Sequence, residues 1–356
     1  MVMKKLDVKL FRSIKNTKGQ FISVTILIIL ALTTYVSLNM VADNLYDSMI
    51  QYYEDTNFGH IFVQVNRIPQ ISIDKLSSIE GIELAQGRIS SDVPLRVEDP
   101  NEKVNVRIVS LPDEEIRIND LYLEAGEMID DNPRTTVVLK QFFNGRNMEL
   151  DQSLIPYIGG SEYPLEIIGV VGSPEYVYLM ESEQTLMPSE DKFGVLYVTE
   201  EFAQMIFGYG GNYNEVMITV AEDYLSKIDD IKDQVEDELD RYDVRQIITR
   251  DEQLSHTVKM QEIDSVAIMS QSVTFVFLIV AAIIINIMLS RIVKRDRMSI
   301  GVMKAMGYLN KDIMLHYSKY AFIIGLTGSI LGGLLSTLVS RYMNYLLSSL
   351  MYLYLQ

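Results

Sequence analysis

The side chains that most often carry out chemistry in proteins are few in this sequence and far apart. Its 356 residues include no cysteine and three histidines, His60, His256 and His316. No HExxH or other close ligand spacing surrounds these histidines, and a chain without cysteine has no thiolate metal ligand and no cysteine nucleophile. Adjacent acidic residues such as Glu114 and Glu115 are typical of solvated surface charge. We therefore expect no catalytic residue, no metal site and no cofactor.

Nucleotide binding is also not expected of this chain itself. No phosphate-binding loop of the GxxxxGK[ST] type occurs in the sequence. Such a loop surrounds the phosphates of ATP with backbone N–H groups, so we expect any ATP to be bound by another subunit. Nucleic acid is not an expected partner, because phosphate backbones need clustered Lys and Arg whereas the net charge is -17.

Three long apolar segments are the elements that must position everything else. A bilayer core about 30 Å thick needs about 20 apolar residues in a helix, which predicts spanning helices over residues 20–42, 265–290 and 320–341. The middle span has the clearest core, since Val273–Leu289 contains no charge. A secretory signal peptide is the alternative for the first segment. The length of that segment and the lack of a small-residue cleavage site favour a membrane anchor.

Basic residues flank the spans unevenly, and this predicts their orientation. Residues 1–19, a predicted basic amphipathic helix, and the loop 291–319 are rich in Lys and Arg. Such flanks stay in the cytoplasm, next to membrane lipid. Residues 43–264 then lie outside, with 45 of the 48 acidic but 17 of the 31 basic residues. We predict a multi-pass plasma-membrane protein with a cytoplasmic N-terminus.

The predicted outer segment, residues 43–264, is too long for a loop and long enough to bury its own core. Apolar residues recur at helical spacing from Ile228 to Leu239, and Ser72–Ile79 is a second helix candidate with Ser72 as its N-cap. Short apolar or alternating runs predict strands over residues 60–65, 104–111, 135–139, 166–171, 195–199 and 215–220. The predicted fold class is therefore membrane α-helical, with a large α+β extracytoplasmic domain between spans 1 and 2.

Small and polar residues inside the spans predict helix packing. Asn286 places an amide in the second span, where a polar group in lipid seeks a partner on another helix or reaches water near the membrane face. The third span repeats small residues at intervals of four, which lets two helix backbones approach closely. These residues are Gly325, Ser329 and Gly333, with Gly328 and Gly332 on the same spacing. Their partner is either a helix of this chain or a second copy or half.

The segment after the second span carries the most specific signal. RDRMSIGVMKAMGYLNKDIMLHYSKY, Arg295–Tyr320, resembles the short cytoplasmic helix of FtsX/MacB/LolC-type ABC transporter permeases. Asp296 stands where glutamate is usual in that family. The positions that fit the family pattern are Arg297, Ile300, Gly301, Lys304, Ala305 and Gly307. LFRSIKNTKGQFISVTILIIL, TTVVLKQFF and LEIIGVVGSPEYVYL are similar to other parts of the same family, so the resemblance covers nearly the whole chain.

The resemblance implies the permease subunit of an ABC-type exporter or mechanotransmission complex. In such a complex, ATP hydrolysis in a separate ATPase subunit moves the extracytoplasmic domain of the permease. Met303 and Met306 offer adaptable apolar contacts for a groove on a soluble partner, although a connector lying on lipid is the alternative. The predicted ATPase-coupling contact comprises Arg297, Ile300, Gly301, Met303, Lys304, Ala305, Met306 and Gly307.

Three predicted spans are one fewer than the four of the family's permease unit. Residues 342–356 form an incomplete tail in this interpretation, so we expect the first half of a longer permease, partnered by a second permease half or a homodimer partner. We do not expect an enzyme. The alternative function is a membrane-anchored receptor or scaffold without transport activity. In that case the acidic outer domain binds an extracytoplasmic protein partner and the helices only anchor it.

Overall fold

The computed structural model describes residues 18–99, 101–130, 132–181 and 189–355, with residues 8, 10, 12, 14 and 15 before them. The chain divides into two compact units. We call Met1–Asp47 with Glu262–Leu350 the three-helix unit, and Ser48–Gln261 the α+β unit. Three helices among the described residues are long and apolar enough to cross a membrane. The predicted fold class, three spanning helices with an α+β domain between the first two, is confirmed.

The long helices extend well beyond the apolar segments that predicted them. Helix α1 covers Lys18–Asp55, α6 covers Leu254–Arg295 and α8 covers Asn310–Leu355. No glycine or proline interrupts the sequence between the first predicted span and Asp55, so nothing stops α1 at residue 42. The helix ends where Asn57 adopts a left-handed φ of 49°. Residues 342–355, predicted as a separate tail, continue α8.

Apolar side chains hold one end of the three-helix unit together. Phe21, Val24 and Ile28 of α1 pack with Ala281, Met288 and Ile292 of α6 and with Tyr320 and Ile324 of α8. The short helix α7, Arg297–Ala305, joins this cluster through Met303. On α8 the buried positions recur every four residues, at Ile324, Gly328, Gly332, Ser336 and Ser340. That spacing places them on one helix face.

The α+β unit contains two main β-sheets. Strands β1 (Ile61–Pro69), β2 (Ile82–Arg88), β12 (Asn212–Val220) and β13 (Val244–Thr249) form an antiparallel four-stranded sheet in the order β13-β1-β12-β2. Helices α2 (Gln70–Leu76) and α5 (Ile228–Leu239) contribute Ile73, Leu76, Ile231, Val235 and Leu239 to the core. The predicted helix over 228–239 is confirmed. Ser72 is not an N-cap, because α2 begins two residues earlier and the Ser72 hydroxyl lies 2.5 Å from that of Tyr242.

The larger sheet is mixed, in the order β3-β4-β11-β6-β10-β5, with β7 beside β10. Its strands are β3 (Ser90–Leu95), β4 (Val104–Leu111), β5 (Tyr122–Gly126), β6 (Thr135–Leu139), β7 (Ser153–Leu154), β10 (Leu165–Gly172) and β11 (Phe193–Thr199). A separate hairpin pairs β8 (Tyr157–Ile158) with β9 (Ser161–Glu162). Helices α3 (Lys140–Gly145) and α4 (Glu200–Phe207) each follow a strand directly. All six predicted strands are present.

Candidate functional site

Helix α7 is set off from its neighbours by a break at each end. Asp296 leaves the helical conformation, with φ -86° and ψ 12°. Its carboxylate accepts a hydrogen bond from the Tyr317 hydroxyl (3.3 Å) and lies 3.3 Å from the Arg295 Nε. Gly307 ends the segment with a left-handed φ of 91°, a conformation that glycine adopts without strain. The sequence pattern Asp296 to Gly307 therefore encodes a short helix with defined ends.

One side of α7 faces into the three-helix unit. Met303 is 6% exposed and belongs to the same apolar cluster as Ile292 and Ile313. Ile300 is partly buried against that cluster. Of the predicted contact residues, these two therefore fix α7 to its own unit, and the Met303 side chain is not available to a partner in this structure. The reason is the helical period, which turns residues 300 and 303 to one face.

A face of α7 next to the buried Met303 presents an apolar row to its surroundings. Met298, Val302 and Met306 are 87%, 56% and 64% exposed and lie four residues apart. We call these three residues the α7 row. Of them, sequence reasoning identified Met306 and missed Met298 and Val302. Their spacing of four, on a helix face beside the buried Met303, is the signal that identifies them.

The other predicted contact residues border the α7 row. Arg297, Gly301, Lys304 and Ala305 are exposed. A Cβ atom added at Gly301 would meet nothing within 4 Å. No described part of the chain itself therefore requires a glycine at that position. The arrangement is a narrow apolar face between basic side chains, which is suited to a groove on a soluble protein.

The predicted helix-packing residues of α8 divide between two faces. A Cβ at Gly328 would come within 2.7 Å of Ile28, and one at Gly332 within 3.0 Å of Leu32. These two glycines let α8 approach α1 closely. Gly325, Ser329 and Gly333 lie on other positions, and a Cβ at either of those glycines would meet nothing within 4 Å. Within the predicted set, Gly328 and Gly332 therefore make a packing contact inside the chain. The other small residues form a second face that no described residue covers.

Polar contacts between the long helices come mainly from residues that sequence reasoning did not select. The hydroxyl of Thr33 donates to the Gly332 carbonyl at 3.2 Å, and that of Thr274 donates to the Ala31 carbonyl at 3.4 Å. Asn39 donates to Ser270. Asn286 is exposed on α6 and accepts a hydrogen bond from Ser290 of the same helix. Serine and threonine inside apolar spans were the available signal.

Within the α+β unit, the last turn of α1 packs against Phe58, Arg250 and the first turn of α6. Tyr53 stacks on Phe58, with ring centroids 4.4 Å apart, and its hydroxyl lies 3.1 Å from Nδ1 of His256. Arg250 lies 5.0 Å from the Phe58 ring centroid and donates to the carbonyls of Phe58 and Gly59. We call Tyr53, Phe58, Arg250 and His256 the stalk joint. It ties the end of α1 to the start of α6 within the α+β unit.

The neighbouring Tyr52 faces the larger sheet instead. It lines a small cavity with Glu124, Lys140 and Gly172. Lys140 Nζ lies 2.9 Å from the Glu124 carboxylate, and burial lowers the pKa of Lys140. Two adjacent tyrosines of α1 therefore contact different parts of the α+β unit, Tyr52 the larger sheet and Tyr53 the end of the smaller one.

Metal ligands do not cluster in the part of the chain that the structure describes. Among those residues, no group of three or more His, Cys, Asp or Glu side chains is placed to hold a metal ion. His60 and His256 each contact protein groups, the backbone N–H of Val220 and the Tyr53 hydroxyl respectively. Both histidines therefore have structural roles in the α+β unit.

Comparison with known proteins locates the membrane part of the chain in a family. Residues 272–355 match the family model described as FtsX-like permease C-terminal. The macrolide export ATP-binding/permease protein MacB of Pasteurella multocida strain Pm70 is 23% identical over 301 residues. That alignment covers 82% of this chain and 44% of the relative. The chain therefore spans less than half the length of this curated relative.

Solved structures with some similarity are extracellular or periplasmic domains of transporters. The extracellular domain of the noncanonic ABC-type transporter YknZ from Gram-positive bacteria aligns with 15% identity and a TM-score of 0.35, covering 53% of this chain and 99% of that one. The periplasmic region of MacB from Actinobacillus actinomycetemcomitans aligns with 15% identity and a TM-score of 0.36, covering 61% and 98%.

The family model and the curated relative agree with the resemblance carried by Arg297 to Gly307. They match overlapping parts of a chain whose described residues include three helices able to span a membrane and a separate α+β unit. The chain is similar to the FtsX/MacB-type ABC transporter permeases, and its residues 272–355 match the FtsX-like permease C-terminal family model.

Proposed function

We propose that this chain is the membrane subunit of an ABC-type exporter or mechanotransmission complex, and that α7 docks on a separate ATPase subunit. The observation that carries the proposal is the α7 row. Met298, Val302 and Met306 expose an apolar face on a short helix that Met303 fixes to its own unit. Exposed apolar side chains aligned on one helix face are typical of a docking surface.

The position of α7 suits transmission of force. Met303 packs with Ile292 of α6 and Ile313 of α8 in one cluster. Because close-packed side chains resist compression, displacement of α7 by a partner would move the ends of both helices. Permeases of the FtsX/MacB type work with ABC ATPase partners, which supports this kind of partner for the α7 row.

The orientation belongs to the same proposal. Basic residues near the predicted spans 20–42, 265–290 and 320–341 favour a cytoplasmic N-terminus and a cytoplasmic α7, with the α+β unit outside. Helix α1 continues without a break to Asp55, and α6 begins at Leu254. These two continuous helices support transmission of force from the predicted membrane spans to the stalk joint. The open face of Gly325, Ser329 and Gly333 is our proposed contact for a second permease half or a second copy.

The proposal is tested by adding a single charge to the α7 row and measuring whether an ATPase still docks. Val302→Asp places a carboxylate in the middle of the row, and we expect a soluble ATPase to be lost from the tagged protein purified from its native membrane. Asn310→Asp is the matched control, because Asn310 is also exposed and gains one negative charge but lies at the start of α8, outside α7. Both variants should insert into the membrane as the parent does, since neither side chain is in the core.

Retention of the ATPase by Val302→Asp, or equal loss of the ATPase in both variants, would show that the α7 row is not part of the interface.

The rival function is a membrane-anchored receptor or scaffold. It is favoured by the acidity of the predicted outer segment, which holds 45 of the chain's 48 acidic residues. Purification of the parent chain with outer-surface proteins alone and no ATPase would support that function instead.

A further inference from the structure

A cavity of about 390 Å³ lies in the α+β unit, against one face of the four-stranded sheet. Strands β1, β2, β12 and β13 contribute residues to it, as do β4 of the larger sheet and the segment after β10. Cavities of this volume hold small organic molecules in many proteins. The cavity and α7 share no residues, so a binding test of the cavity does not require that α7 docks on an ATPase.

The sheet face in the cavity carries two parallel rows of side chains of different character. Gln246, Gln64, Glu215 and Arg88 pair directly across the four strands and form a polar row. A second, apolar row lies two positions further along the same strands. In it, Phe62 pairs with Ile248 on one side and with Met217 on the other. All seven line the cavity. Because strand residues two apart lie on one face about 7 Å from each other, the cavity has a polar side and an apolar side.

The polar row and the adjacent Glu175 together contain more negative than positive charge. Arg88 donates two hydrogen bonds to Glu175, at 2.5 and 2.7 Å, and a third from Nε to Glu215 at 2.7 Å. Arg88 and Glu175 are buried, and Glu215 is largely buried. One guanidinium therefore serves two carboxylates in a site of low water content. A buried carboxylate without its own counter-charge is unfavourable, and a bound cation removes that cost.

The other charged groups around the cavity do not supply the missing cation. Arg107 also lines it, but Asp92 already holds that guanidinium through two hydrogen bonds of 2.6 and 2.8 Å. Glu252 is paired with Lys232 at 2.8 Å. Glu181 adds a further carboxylate to the lining. Counting these groups with their partners, and Lys259 over the ring of the cavity-lining Tyr178, five carboxylates face four cations.

We propose that this cavity binds an organic cation that carries an apolar body, with the ammonium group over Glu215 and the apolar body on Phe62, Met217 and Ile248. The spacing of the two rows suits a lysine side chain attached to an apolar residue, whose ammonium and backbone are separated by a similar distance. Tyr178 also lines the cavity, and Lys259 Nζ lies 5.9 Å from its ring centroid, so this aromatic face already holds a cation of the chain itself. The surplus of acidic groups in the surrounding unit raises the local concentration of such ligands.

The experiment measures binding of two probes to the full chain in phosphatidylcholine nanodiscs by calorimetry at physiological salt. Acetyl-Phe-Lys-amide carries the ammonium, and acetyl-Phe-norleucine-amide has the same length without it. We expect the lysine probe to bind at least about tenfold more tightly. Glu215→Gln should bring its affinity down to that of the norleucine probe. Glu162→Gln is the matched control, because Glu162 pairs with Arg96 on the surface and does not line this cavity.

Glu215→Gln keeps an acceptor for Arg88 and leaves the Arg88–Glu175 pair in place, so we expect it to fold. A second variant, Ile248→Lys, supplies an ammonium from the chain itself and should abolish binding of the lysine probe while raising the Tm. Equal affinity for the two probes, no binding of either, or unchanged binding in Glu215→Gln would each overturn the proposal. None of these outcomes bears on whether α7 docks on an ATPase.

Discussion

At the scale of single residues, burial separates side chains that the sequence presents as equivalent. Met303 and Met306 both lie in the segment that resembles the family's cytoplasmic helix, yet Met303 packs inward and Met306 is exposed. Gly328 and Gly333 differ in the same way on α8. The sequence predicts which residue types occur at these positions, but the direction in which each side chain points depends on the helix phase relative to its neighbours.

His60 makes the stability of the α+β unit sensitive to pH. Its Nδ1 accepts a hydrogen bond from the Val220 N–H at 3.1 Å, and burial, with a contribution from Arg250, lowers the pKa of His60 to about 4. The unfolded chain, in which the pKa of histidine is about 6.5, then binds a proton more readily than the folded chain. This contribution to stability is complete above pH 6.5 and decreases as the pH falls toward 4.

The variant His60→Asn keeps an acceptor for the Val220 N–H and removes the titrating group. Between pH 7.5 and 5.0 we expect it to lose about 1 kcal/mol less free energy of unfolding than the parent, a value reduced for the partial exposure of the ring. Thermal unfolding of the full chain in detergent at both pH values measures this. An identical loss in parent and variant would show that the pKa of His60 is the same in the folded and unfolded states.

At the scale of elements, prediction succeeded where a pattern is local and failed where it depends on partners. The strands over 104–111 and 135–139 were predicted to the residue. Strands β2, β3, β5 and β13 were not predicted. β5 is mostly exposed and β13 lies at a sheet edge, where alternation between buried and exposed residues is weak. α1 continues past its apolar segment because no glycine or proline stops the helix before Asp55.

The contact between α1 and α8 gives a prediction about helix packing. Gly328→Val puts side-chain atoms where Ile28 already lies, whereas Gly333→Val puts them in open space. Because valine has the same helix propensity at both positions, the difference isolates the contact. We expect Gly328→Val to lower the free energy of unfolding by about 1–3 kcal/mol, the usual cost of overpacking.

Thermal unfolding of both variants in the same detergent is the measurement. A Tm of Gly333→Val close to that of the parent is the expected control result. If the two variants are equally stable, α8 does not approach α1 closely at Gly328. If Gly333→Val is the less stable, the face that is open within one chain is instead covered by another copy.

At the scale of the whole molecule, charge and hydropathy separate the two units. Of the acidic residues, 45 of 48 lie in residues 43–264, while the predicted cytoplasmic segments are basic. This asymmetry predicts that the α+β unit lies outside and α7 inside. The absence of cysteine from the sequence makes that prediction directly testable, because any thiol introduced by mutation is the only one in the chain.

Ser78 in the α+β unit and Ser299 on α7 are both exposed. In intact cells, a membrane-impermeant maleimide should label Ser78→Cys, and it should label Ser299→Cys only after the membrane is permeabilised. The parent chain, without a thiol, is the background control. Labelling of Ser299→Cys alone in intact cells would mean that the chain has the opposite orientation.

The sequence by itself determined the class of the protein, the number of apolar spans, the location of the α+β domain and the short helix that resembles the family's coupling segment. These features are encoded locally, in runs of apolar residues, in helical and strand periodicity and in a motif of fixed spacing. These features can be predicted without knowledge of the fold, because hydrophobic burial favours the same local pattern in a segment whichever element packs against it.

Tertiary structure alone decided which face of α7 is free, which glycines contact α1, and how Arg88, Glu175 and Glu215 meet at the cavity. Glu175 and Glu215 lie on different elements, and their shared guanidinium comes from a third. No local pattern predicts such a cluster, because its charge balance arises from strand pairing between segments more than 100 residues apart. Sheet register and side-chain burial are properties of the assembled chain.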